Sequence, residues 1–178
     1  MKTVRAILLS SAIAGALWSH PLLAQDVHVS SEKGVTTLSV TAQKPYALMQ
    51  SGQSRTPVLS VSCQPKGKKM GHTITFEPGG ILTEQEYSTF GGSATLTLEM
   101  TIGTHKQHTI WVAHGSLQAF DYYGKTEPER VQFVQTLLSV PTISLEFTPF
   151  LTGVPASSTF DLTGLRAEFD KHPECSLK

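Results

Sequence analysis

The chain has 178 residues with 14 basic and 14 acidic side chains, a formal net charge of zero, and a mean hydropathy of −0.06. That balance excludes the basic footprint by which a protein holds nucleic acid or an anionic membrane surface. A hydrophobic fraction of 39% is what a folded domain of this length needs to bury one core.

The chain starts with Lys2 and Arg5, continues through an apolar or small-residue run over 6–17, and reaches Leu22-Leu23-Ala24 just before Gln25. These are the parts of a secretory signal peptide, so 1–24 is expected to be cleaved and 25–178 to form one domain. The apolar run is shorter than the roughly 20 residues that span a bilayer, and no cysteine follows the cleavage site to carry a lipid. A periplasmic or secreted protein with no stable membrane anchor is the expectation. Export also decides how Cys63 and Cys175 are read, since they are the only cysteines and an oxidising compartment pairs thiols. One disulfide is predicted, joining the C-terminal tail to an early strand. The two are not in the C-x-x-C arrangement of a redox-active pair.

Downstream, short runs alternate with period 2, the signal of half-buried strands. Strands are predicted over 35–42, over 58–63 with Leu59, Val61 and Cys63 facing the core, and over 72–77 with Ile74 beside Phe76 before Gly79-Gly80. The cleanest alternation is 94–102, where Leu96, Leu98, Met100 and Ile102 oppose Thr95, Thr97, Glu99 and Thr101. Gly103-Thr104 is placed to turn it back into 107–113, and 117–123 is a further short strand. Ile143, Leu145 and Phe147 alternate in another, and 159–162 closes the series.

Two segments break the pattern. Thr126-Glu127-Pro128-Glu129 has the spacing of a capping box, and Val131, Phe133, Val134, Leu137 and Leu138 then recur at helical intervals until Pro141. That helix is expected to lie across a sheet. A second helix is predicted over 165–171, ending before Pro173 and delivering Cys175 to its partner. Short strands, late helices and no βαβ alternation give a mainly β fold: an antiparallel β-sandwich with one or two short helices in its C-terminal half and one disulfide.

The order of features from Thr56 onward resembles that of exported bacterial proteins related to the type VI secretion-associated VasI/TagO family. The residues that carry the resemblance are Leu59-Ser60-Val61-Ser62-Cys63, then Trp111, Ser116 and Phe120. Leu145-Glu146-Phe147-Thr148-Pro149-Phe150 follows, then Thr159-Phe160-Asp161-Leu162-Thr163-Gly164-Leu165 ahead of Cys175. The Trp-x-x-Ser spacing of the family is stretched here to Trp111-Val-Ala-His-Gly-Ser116, and Gln25 to Gln50 has no counterpart to the cysteine-containing segment of the secretion-linked members. The resemblance implies the fold, the disulfide and an accessory role at an envelope secretion apparatus, and it implies no catalytic residues.

Candidate chemistry is sparse. His105, His108 and His114 form the only histidine grouping, with His72 elsewhere. On one extended strand His108 and His114 share a face while His105 points oppositely, so no metal and no cofactor are expected. His114 and Ser116 are near neighbours without a Gly-x-Ser-x-Gly elbow, and Glu77, Glu99, Asp121 and Glu146 have the look of a sheet's wet face more than of a glycosidase pair. Trp111, Phe120, Tyr122 and Tyr123 either form a binding platform or belong to core and rim. The function expected is a non-enzymatic exported β domain that binds a protein or envelope component through a sheet edge or these aromatics. The alternative is a small secreted hydrolase or metal-dependent enzyme using His105, His108 and His114.

Overall fold

Alternating apolar and hydroxyl side chains decide most of the fold. The computed structural model describes residues 26–47, 54–66, 69–80, 87–90, 93–113, 118–148 and 154–177; the expected signal peptide, 1–24, lies outside them. Its strands are β1 (His28–Glu32), β2 (Val35–Thr41), β3 (Tyr46–Ala47), β4 (Ser54–Arg55), β5 (Val58–Lys66), β6 (Lys69–Glu77), β7 (Tyr87–Phe90), β8 (Ser93–Ile102), β9 (His105–Ala113), β10 (Phe120–Tyr122), β11 (Thr142–Phe147) and β12 (Ala156–Asp161). Helix α1 (Glu127–Ser139) separates β10 from β11. Helix α2 (Leu165–Phe169) and a 3-10 turn (Pro173–Cys175) follow β12.

The architecture is mainly β and antiparallel, with the helices and the disulfide where the sequence puts them. Ten strands are linked by hydrogen bonds, nine of them in the order β1-β2-β5-β6-β10-β9-β8-β11-β12. Both β7 and β11 pair with β8: β7 takes its N-terminal half, at Leu96↔Tyr87, and β11 its C-terminal half, at Met100↔Leu145. Strands β3 and β4 make a separate two-stranded ribbon.

This sheet folds over on itself. Phe76 on β6 and Phe147 on β11 lie four strand spacings apart, about 19 Å along a flat sheet, yet their ring centroids are 5.4 Å apart. Phe76 also meets Phe160 of β12 edge to face at 6.4 Å, and the backbone N–H of Gln43, just beyond β2, donates to the carbonyl of Thr159 on β12 at 2.8 Å. The concave face therefore becomes the core, built from Leu38, Leu59, Ile74, Phe76, Leu98, Trp111 and Leu145 among others. On the convex face hydroxyls bond across strands, as in Thr37 with Ser62 and Ser39 with Ser60, both at 2.9 Å.

Helix α1 packs on β6 and α2 and buries Phe133, Val134, Leu137 and Leu138, the residues whose spacing predicted it. Its capping box forms at Thr126 and Glu129. Strands β1, β3, β4 and β7 are not among those the sequence reading predicts, and the second helix is shorter than expected. Strand β1 has the run His-Val-Ser-Ser-Glu, without apolar alternation, because it is an edge strand with little to bury. The second helix is one short turn followed by the 3-10 turn, and that break lets Cys175 reach inward.

Candidate functional site

Three things converge at the disulfide end of the core. The hairpin of β5 and β6 pairs Cys63 with His72, so both side chains point into the concave face. Cys63 is bonded to Cys175 across 112 residues of sequence, and Thr126 starts α1 so that Glu127 arrives at the same place. Strand β10 is too short to cover this part of β6, pairing only with Thr75 and Phe76. The Glu127 carboxylate stands in for the missing strand.

Its Oε1 accepts from the backbone N–H of His72 at 3.0 Å and lies 3.0 Å from the His72 Nδ1. The other ring nitrogen, Nε2, is 3.1 Å from the carbonyl oxygen of Cys175. Glu127 Oε2 accepts from Arg130 Nε at 3.1 Å and Nη2 at 2.7 Å, while Arg130 Nη1 donates to the Gly124 carbonyl at 2.6 Å. Partial burial pushes the Glu127 carboxyl upward, but hydrogen bonds from Arg130 and His72 outweigh it and hold the group below the usual carboxylate range. A polar cleft of about 200 Å³ opens beside the cluster between Gln64, Thr73, Asp121 and Tyr122. The cluster's own donors and acceptors are committed to one another, tying α1 and the C-terminal turn to β6.

His72 was not singled out by pattern. The signal that could have found it is register: once the turn between β5 and β6 is placed, His72 falls opposite Cys63. The other candidates separate. Trp111 and Phe120 are fully buried, which removes them from any surface platform. They point inward by strand parity, and the Trp111 Nε1 donates to Thr109 Oγ1 at 2.8 Å inside the core. Tyr122 is half-buried, stacked on Phe133 of α1 with centroids 4.0 Å apart. Tyr123 is also half-buried, and its N–H donates to the Ile110 carbonyl at 2.8 Å.

His105 and His108 are exposed on opposite faces of β9. His108 lies in a cross-strand row with Glu99 and Glu146 on the convex face, where Glu99 is ion-paired with Lys106. His114 and Ser116, with Pro149 and Phe150, lie outside the described residues. Among the described residues no group of three or more His, Cys, Asp or Glu side chains is placed to hold a metal ion.

The sheet has one further feature with binding chemistry. Strand β1 ends the order, and its hairpin with β2 turns through Lys33 and Gly34, both at positive φ (52° and 79°), which suits a two-residue primed turn. Such a turn makes Glu32 and Val35 a hydrogen-bonded pair, so Ser30 and His28 bond to β2 as well. Val29 and Ser31 then direct their N–H and C=O groups away from the sheet. Comparison with protein-family models, curated proteins and solved structures finds no match to this chain.

Proposed function

We propose that the mature chain is an exported, non-enzymatic β domain that binds a protein by taking an extended strand onto the outer edge of β1. The carrying observation is that edge. Every residue of β1 except Val29 is exposed, and the outward backbone groups of Val29 and Ser31 have no backbone partner among the described residues. Strand addition supplies affinity through main-chain hydrogen bonds and specificity through alternate side chains. The aromatic alternative loses Trp111 and Phe120 to the core.

The disulfide suits the oxidising compartment to which residues 1–24 direct the chain, and no helix among the described residues is long and apolar enough to cross a membrane. Resemblance to the VasI/TagO family points to an envelope secretion apparatus as the setting. The test is a photo-crosslinking amino acid at Ser30, compared with one at exposed Ser157 on β12, in cells that export the protein. Protein adducts specific to the Ser30 position are expected. Equal or absent labelling at the two positions rejects edge binding.

A further inference from the structure

Resting on β1 as the binding edge, we infer that the strand it accepts is β1 of a second copy, forming a two-fold dimer in which the sheet runs on from one molecule into the next. Parity restricts how two such strands can meet. Only residues whose backbone groups point outward can form hydrogen-bonded pairs, so Val29 and Ser31 of one copy must face Val29 or Ser31 of the other. An antiparallel arrangement then allows a dyad through Val29, Ser30 or Ser31. Of these, only the Ser30 dyad overlaps the whole of His28–Glu32 with itself.

That register is also the chemically complementary one. It places His28 opposite Glu32 twice over, a ring N–H donor against a carboxylate on the exposed face. Within one molecule the two residues are four apart on an extended strand and do not meet, and Glu32 makes an exposed contact with Lys33 at 3.5 Å. On the opposite face lie Val27 and Val29, the partly buried apolar residues of this edge that pack against the core. The Ser30 dyad brings Val29 diagonally beside its symmetry mate, extending the apolar face across the junction. The interface is isologous, so it closes at two copies and leaves no β1 edge open.

The dyad makes a geometric prediction. Ser30 faces its own copy as a non-hydrogen-bonded pair with Cα atoms about 4.5 Å apart, within disulfide reach. The experiment uses the exported protein with Ser30→Cys, and Ser157→Cys, at a position that is also exposed, as a control, under mild oxidation on non-reducing gels. Sedimentation of the wild type, Glu32→Lys and His28→Glu/Glu32→Lys runs beside it. Expected are covalent dimers for Ser30→Cys well above the control, and a dimer dissociation constant raised about tenfold by Glu32→Lys because two related pairs change together. The double substitution should restore it. A wild type that sediments as a monomer at every concentration, or a Ser30→Cys protein that dimerises no faster than the control, overturns the inference. Photo-adducts at Ser30 exclusively to a different protein also overturn it while leaving edge binding intact; the absence of any adduct rejects edge binding itself.

Discussion

Glu127 does for β6 what a neighbouring strand would otherwise do: its Oε1 accepts from the backbone N–H of His72 and its Oε2 from two nitrogens of Arg130. Because its folded pKa lies below the ordinary 4.5, it contributes stability that is fully present above that value and lost as pH falls through the depressed one. Glu127→Gln keeps the shape but turns one amide edge, itself a donor, toward His72 or Arg130. The expected loss is about 1–2 kcal/mol at neutral pH, allowing for the partial exposure of the group. The signature is in the pH dependence: thermal midpoints of wild type and Glu127→Gln should differ most near neutrality and converge as pH falls through the depressed value. A gap that stays constant into acid would mean that the carboxylate's charge plays no part.

Among the elements, those with strong local signals were readable from sequence and those defined by their neighbours were not. Strand β8 has the Leu96-Leu98-Met100 alternation, and α1 has both its cap and its apolar spacing, so each is specified by its own residues. Strand β1 has no such signal, since only the pairing with β2 gives His-Val-Ser-Ser-Glu a strand conformation. The candidate site divides in the same way. Cys63 and Cys175 follow from cysteine count and the compartment expected from the sequence, whereas Trp111 and Phe120 needed strand parity to show that they point inward. His72 needed the register of a hairpin. The start of α1 offers a direct check on local specification: Thr126→Ala removes the acceptor for the Glu129 N–H and should cost about 1 kcal/mol, seen as a lower urea midpoint with an unchanged m-value. No change in midpoint would show that packing on β6 alone places the helix.

At the scale of the molecule, the disulfide is one of several ties between the C-terminal turn and the sheet, so its contribution can be separated from theirs. Thr36 Oγ1 donates to Glu174 Oε1 at 3.0 Å, and His72 Nε2 meets the Cys175 carbonyl without involving either sulfur. Leu165 and Phe169 bury the helix before it. These contacts should hold the turn in place when Cys63 and Cys175 are both changed to Ala. What the bond adds is restraint on the unfolded chain, a loop spanning a sequence separation of 112; loops of about 100 residues are worth up to about 4.7 kcal/mol in the chain-entropy model, with about 2–5 kcal/mol typical on removal. Two readouts separate restraint of the unfolded chain from support of the folded one. If the unfolded chain is the target, the double variant loses stability, its urea m-value rises because the released chain exposes more surface, and amides near Cys175 stay protected from exchange. If the bond instead holds the turn against the sheet, the m-value does not rise and exchange accelerates there first. The density of contacts around His72 and Glu174 favours the first outcome, and loss of protection confined to the last turn would reject it.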